Sequence, residues 1–301
     1  MLNVIKKFYY GLIPLLILLF FAVISSLLGY LFLMLAGDVI SLRKIVSRGS
    51  QIFLLLSIFP LRRYLKLNWG DIGFSTKSLF FRQVFKGLAL GMVTLLPVIL
   101  VLYALDISLI EQSNEWDANI IFNKTLLSFL LAILIGLGEE PVFRGILLAG
   151  LRNKLAVGFA ATISAGYYSA FHFIKTKTDI PYEELTISSG FKLMLEAFAN
   201  LLNPDILSAL IPLFVIGLFL VSIRIQIKNS IGICIGCHAA WVWQIKMHMY
   251  FFYTNHDSPY YYLVSDYYND GIVGPLVAVW LSLAILAYIF WKRTWGRGIN
   301  F

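Results

Sequence analysis

The chain has 301 residues, of which 59% are hydrophobic and only 13% charged, and its mean hydropathy is +0.81. Soluble domains carry about 25% charged residues, so a soluble globular protein is excluded and an all-α polytopic membrane bundle of about eight transmembrane helices is expected. The net charge of +8 lies in short runs between apolar segments, which is the pattern of topology determinants and lipid-headgroup contacts; no nucleic-acid partner is expected.

The first apolar run, about Leu12 to Ala36, follows Lys6 and Lys7 and is too long for the core of a cleavable signal peptide, so it reads as a first span. Ile52 to Leu61 is too short to cross ~30 Å alone; it either borrows residues from about Val46 or is re-entrant. Lys66 to Lys86 reads as a loop, with turn signals at Asn68-Trp69-Gly70-Asp71 and Gly73 and a surface helix anchored by Trp69, Phe74, Phe80 and Phe81. The third span is about Val84 to Leu105. An acidic stretch with Asp106, Glu111, Glu115 and Asp117 leads to a fourth segment, Leu126 to Arg152. The fifth is about Leu155 to Phe173, and a polar connection from Ile174 to Asp205 precedes the sixth, Ile206 to Ile223. The seventh is Ile231 to Tyr253 and the eighth Ile272 to Trp291. The whole chain, 1–301, forms one membrane domain. Basic residues gather on one side of an eight-span arrangement and acidic loops on the other, which predicts both termini in the cytoplasm of a plasma (inner) membrane protein. Arg43, Lys44 and Arg48, in the first loop, run against this rule.

The fourth segment holds Glu139, Glu140 and Arg144 within an apolar run. Ionisable groups at membrane depth are costly and point to function. Positions four apart share a helix face, so Glu140 and Arg144 pair. Glu139 lies about 100° round the helix and keeps no local partner, which suits a general base. Pro141 removes a backbone N–H beside the carboxylates and kinks the helix. A structural ion pair locking two helices, or a proton or ion pathway, uses the same charges.

Of four histidines, His256 falls in a polar loop and His248 near the outer end of its span, where it reads as interfacial. His172 and His238 lie in apolar surroundings. With Glu139 they supply one carboxylate and two imidazoles from three spans, a set that binds a divalent metal such as zinc with an open position, or orients a water directly. Cys234-Ile-Gly-Cys237-His238 fits the spacing of covalent haem attachment. Its place in an apolar span and the lack of a soluble unit to enclose a haem favour two small buried thiols, and a zinc site there has no evident fourth ligand. Gly87-Leu-Ala-Leu-Gly91 fits close helix packing.

Glu139-Glu140-Pro-Val-Phe-Arg144, Tyr168-x-x-x-His172 and His238-x-x-x-Val242, with the Asn68–Gly73 turn upstream, resemble the motifs of the CAAX-protease and bacteriocin-processing (CPBP, or Abi) intramembrane proteases. These include the type II CAAX prenyl endopeptidases. The resemblance covers about 126–253. It implies an intramembrane endopeptidase, of metalloprotease or glutamate type, acting in the bilayer on a peptide or a membrane-anchored protein near the cytoplasmic leaflet. In that reading Glu139 activates water, His172 helps to hold it, Glu140 and Arg144 support, and His238 faces the oxyanion; a metal, if used, is held by Glu139, His172 and His238.

Two positions depart from the family: Tyr168 stands where phenylalanine is usual, and Val242 where it has Asn or Asp. Trp241, with an indole N–H on a face adjacent to His238, is a candidate replacement donor to the oxyanion. The Val242 departure favours the alternative of a non-catalytic immunity or scaffold protein; an ion or proton carrier is the third reading. The protease reading requires Glu139, His172 and His238 to converge within about one water's reach. Counted along the helices, His172 is ~27 Å from Lys154 and His238 only ~14 Å from Asn229. Their meeting calls for a fifth helix that is tilted, begins outside the bilayer, or is broken, as Gly166 permits.

Overall fold

The computed structural model describes residues 2–113, 117–268 and 270–294; Glu115, Arg297 and the side chains of Lys6, Lys292 and Arg293 lie outside the described residues. The helices in order are α1 (Leu2–Ala36), α2 (Leu42–Tyr64), the single turn α3 (Trp69–Ile72), α4 (Lys77–Ala104), α5 (Ala118–Glu140), a π-helical turn (Pro141–Leu147) continued by α6 (Leu148–Arg152), α7 (Val157–Phe171), α8 (Ser189–Ala199), α9 (Leu207–Gln226), α10 (Ile231–Phe251) and α11 (Pro275–Thr294). Two three-residue strands, β1 (Ser108–Ile110) and β2 (Phe252–Thr254), pair antiparallel and join the end of α4 to the end of α10. The fold is therefore an all-α polytopic bundle. Among the described residues five helices are long and apolar enough to cross a membrane: Lys7–Ala36, Leu42–Tyr64, Trp69–Ala104, Ala118–Arg152 and Pro204–Gln226. Pro275–Trp291 is a shorter apolar helix.

Several boundaries move relative to the sequence reading, each for a local reason. The short second run is a full helix, not a re-entrant one. It extends upstream through Arg43, Lys44 and Arg48 because Leu42, Val46 and Ser50, spaced four apart, form a buried stripe while the basic side chains turn away from it. The region after it is not a loop carrying a long surface helix. Asn68 and Asp71 form a reciprocal capping box around the single turn α3, Gly73 ends it at φ +113°, and α4 already starts at Lys77. The acidic stretch ends in Asp117, whose carboxylate accepts from the N–H groups of Asn119 and Ile120 and starts α5 eight residues before Leu126.

α10 is the axis of the bundle. Every residue from Ile231 to Trp241 is buried, as expected of a helix that is apolar all round. It packs backbone to backbone on α4. A Cβ at Gly87 would strike the Ile233 carbonyl oxygen, one at Gly236 the Val84 carbonyl oxygen, and one at Gly91 would lie 2.6 Å from the Ala240 Cβ. This is the small-residue packing that Gly87 and Gly91 predict, extended by Gly232 and Gly236 on the facing helix. α5 joins the same axis through Gly136, whose Cβ would be 2.9 Å from the Ile235 carbonyl oxygen. Ser230 and Ile231 are wholly buried and the Ile231 N–H donates to Gly73 O at 2.9 Å, so α10 begins inside the protein, on the turn made by α3. That start removes the depth problem: His238 is near the beginning of its helix yet deep in the bundle, and α7 runs unbroken through Gly166.

At the other end of α10, His248 is buried rather than interfacial. Its Nδ1–H donates to Asp270 O (3.1 Å) and its Nε2 accepts from Ser108 Oγ (2.8 Å), tying β1 to the loop before α11.

Glycine contacts and this loop give two expectations. Gly236→Val forces α4 and α10 apart and costs at least about 3 kcal/mol, whereas Gly138→Ala, with nothing within 4 Å of the added Cβ, is neutral or stabilising; thermal midpoints of the purified variants separate the two. Burial holds the Asp270 carboxyl up at about 6, above its usual 3.8, against the opposing N–H groups of Ile272 and Val273. The folded state therefore retains this proton better than the unfolded chain. Its contribution is complete below pH ~4 and is lost as pH rises through ~6, on the order of 2–3 kcal/mol in all. The thermal midpoint should fall across that window, and Asp270→Asn should flatten the fall.

Candidate active site

The site forms where the end of α5 and the π-turn meet α10 and the end of α7. Pro141 lacks the N–H that would bond to the Leu137 carbonyl, and the chain passes into a wider i→i+5 turn at that point. Three contacts fix this turn. Ile72 of α3, fully buried, packs against Gly145, where a Cβ would lie 2.6 Å from its Cγ2. Ser164 Oγ on α7 donates to Phe143 O at 2.9 Å. The Phe143 ring meets Tyr168 and Phe171 at 5.4 and 5.7 Å between centroids. α7 is in turn held on α9, through Ser169 Oγ donating to Leu210 O (2.6 Å) and Gly217 pressed on Ala165.

On this frame the paired residues expected from the sequence are brought together. Glu140 is wholly buried. Its Oε1 accepts from Arg144 Nη1 at 3.1 Å and from His238 Nδ1 at 2.7 Å. The Arg144 guanidinium lies 3.9 Å above the Tyr168 ring, a cation–π contact made in a site of low polarity. Glu139 points elsewhere: its side chain is 34% exposed, and its Oε2 sits 3.9 Å from His238 Nε2. Glu139 is thus the carboxylate not used by the ion pair, as its place on the helix predicts.

His172 caps the C-terminus of α7, and its Nδ1–H donates to the Tyr168 carbonyl at 2.7 Å. A carbonyl can only accept, so in the neutral ring the lone pair is on Nε2. The Tyr168 ring lies 4.7 Å from His172 and 6.0 Å from His238 between centroids, which places both imidazoles around one aromatic side chain. Glu139 and His238 both act electrostatically on His172. Glu139 Oε2, Glu140 Oε2, Arg144 Nε and Arg144 Nη2 are enclosed without a hydrogen-bond partner among the described residues. Such a concentration of unsatisfied polar atoms is the mark of a site built for water or a ligand.

Two other groups singled out in the sequence are placed as follows. The Trp241 indole N–H donates to Thr94 Oγ1 at 2.9 Å and packs on Phe219, so it is committed to α4 and not offered beside His238. Nor are three His, Cys, Asp or Glu side chains grouped as ligands of one ion among the described residues. Glu139 lies 3.9 Å from His238, and His172 is related to His238 through the Tyr168 ring between them; Cys234 and Cys237 are free, buried thiols.

Arg224 was missed as a positioning residue. It marks the end of an apolar span in the sequence, but its Nη2 donates to Asp71 O (2.6 Å) and its guanidinium fills the space beside Gly73. It thereby clamps the turn that carries Ile72 and supports the start of α10. The signal was legible in Asn68-x-x-Asp71 and Gly73, a capping box followed by a helix-ending glycine.

Residues 121–244 match the family described as Rce1-like, type II CAAX prenyl endopeptidase Rce1-like, which supports the CPBP assignment of this part of the chain. No curated protein and no solved structure matches the chain.

The buried pair makes a specific demand. Arg144→Leu leaves Glu140 enclosed with His238 alone and costs about 3–5 kcal/mol, and Glu140→Gln in the same chain recovers much of it. Thermal midpoints of the single and double variants measure both effects.

Proposed function

We propose, from the Rce1-like match of residues 121–244, that the chain is an intramembrane endopeptidase hydrolysing a peptide bond of a membrane-associated protein or peptide by direct attack of water. The observation that carries this reading is the separation of roles between adjacent carboxylates. Glu140 is buried and its Oε1 is engaged by both Arg144 and His238, while Glu139 is partly exposed and faces His238 Nε2 across 3.9 Å. Two acceptor or donor atoms at that distance can share one water.

Glu139 takes a proton from this water as its oxygen bonds to the carbonyl carbon. His172 holds the water through Nε2, whose lone pair is left free by the Nδ1–H bond to Tyr168 O. His238, fixed at Nδ1 by the Glu140 carboxylate, presents Nε2 to the carbonyl oxygen; an imidazolium there is neutralised by Glu140. Arg144 orients Glu140 through its hydrogen bond to Oε1. The proton taken by Glu139 then passes to the leaving amine. A divalent metal bound at the same carboxylate and imidazoles would polarise the carbonyl oxygen; no step above depends on one. In this reading the chemistry lies within the bilayer, and the charge bias of the loops supports a cytoplasmic side for both termini.

Val242 carries no polar group, and this favours the second reading, a non-catalytic immunity or scaffold protein of the same family. Reconstituted protein given prenylated CAAX-type peptides and an unmodified peptide pool separates the readings. Cleavage that falls at least about 100-fold in both Glu139→Gln and His172→Ala, with thermal midpoints retained, is expected of the protease. Absence of cleavage by the unaltered chain across the whole set supports the scaffold.

A further inference from the structure

The site has more need of hydrogen-bond donors than the motif supplies. An N–H or O–H must face the carbonyl oxygen as negative charge grows on it. The His238 Nδ1–H is used by Glu140, which leaves the Nε2–H of its protonated ring as the single donor that the motif offers, and the His172 Nδ1–H is used by the Tyr168 carbonyl. The Trp241 N–H goes to Thr94, and both N–H groups of Gln244 go to the carbonyls of Gly91 and Ala240. Arg144 has two unpartnered donor atoms, Nε and Nη2, but both are enclosed and out of reach of any substrate. At Val242, one turn beyond His238 on the same face, there is no donor.

One O–H remains. Tyr168 is 3% exposed, and its ring contacts are with Phe143, His172, His238 and Arg144. Its hydroxyl makes no hydrogen bond among the described residues, so its O–H is uncommitted.

We infer that the Tyr168 hydroxyl is a catalytic residue, the donor that stabilises the oxyanion in the place Val242 leaves empty. This rests on the protease reading. As the water oxygen bonds to the carbonyl carbon, the C=O π pair moves onto oxygen and Glu139 takes the water proton. The phenol donates a hydrogen bond to that oxygen and keeps its own proton. When the C–N bond breaks, the pair returns to C=O and the amine leaves with the proton from Glu139. The ring's contacts with Arg144 and both imidazoles hold the hydroxyl in place.

The test compares wild type, Tyr168→Phe, and Tyr168→Phe with Val242→Asn, all reconstituted, on a peptide that wild type cleaves. Phenylalanine keeps every ring contact and removes only the O–H. kcat should fall about 100-fold with KM and thermal midpoint unchanged, and Val242→Asn should restore part of the loss. A Tyr168→Phe variant that turns over like wild type overturns the inference while leaving the protease reading intact, which Glu139→Gln checks separately. Binding of a peptidyl trifluoromethyl ketone, whose hydrate carries the same oxygen, is measured against the corresponding alcohol. Wild type should prefer the ketone and Tyr168→Phe should lose the preference, a readout independent of turnover. If wild type neither cleaves nor prefers the ketone, the inference falls together with the reading.

Discussion

The architecture depends on one buried carboxylate. Glu140 has no exposed surface and takes hydrogen bonds from a guanidinium on its own helix and an imidazole on α10. Enclosing an ionised carboxylate costs several kcal/mol unless its partners are in place. The arrangement is consequently intolerant of any shift between the π-turn and α10, and it fixes which way His238 faces. It also releases Glu139. Two adjacent glutamates that would otherwise be interchangeable become one structural and one accessible group, because helix geometry turns the second away from the arginine that satisfies the first.

The close approach of backbones supplies the rigidity this requires. Gly87, Gly91, Gly232 and Gly236 let α4 and α10 touch main chain to main chain, and Gly136 brings α5 onto the same axis one turn before Glu140. Lipid offers little hydrophobic drive for helix association, so packing of this kind, with polar contacts, holds the bundle. The turn at Asn68–Gly73 completes the frame from below. It wedges Ile72 against Gly145, receives Arg224 on its carbonyl, and offers Gly73 O to the first N–H of α10. A segment remote in sequence from the charged cluster thus sets the position of both helices that carry it.

Much of this was legible in the sequence. Apolar runs mark the helical segments, of which five among the described residues are long and apolar enough to cross a membrane rather than the eight expected, and the spacing of Glu140 and Arg144 gives their pairing and leaves Glu139 outside it. Pro141 announces the irregular turn. The missing parts are those that local pattern does not encode. The second apolar run looks too short because its buried stripe continues through residues whose neighbours are basic, and helix length there is decided by one face alone. The apparent mismatch in depth of His172 and His238 came from measuring both from the ends of their segments. The count along α10 was sound, but its first residue is buried against the turn at Gly73, which only the tertiary contact of Ile231 with Gly73 reveals. Trp241 is three residues from His238 in sequence, yet its indole N–H goes to Thr94; the direction of a side chain that large is set by the helix it packs on, here α4.

An experimental structure in a lipid bilayer, at a resolution that places waters, addresses the shared-water geometry directly. The account predicts an ordered water in contact with Glu139 and His238 Nε2 and within hydrogen-bond reach of His172 Nε2, with Glu140 still bridging Arg144 and His238. A Glu139 carboxylate drawn into the Arg144 pair, or a His238 ring turned away from Glu140, would contradict it.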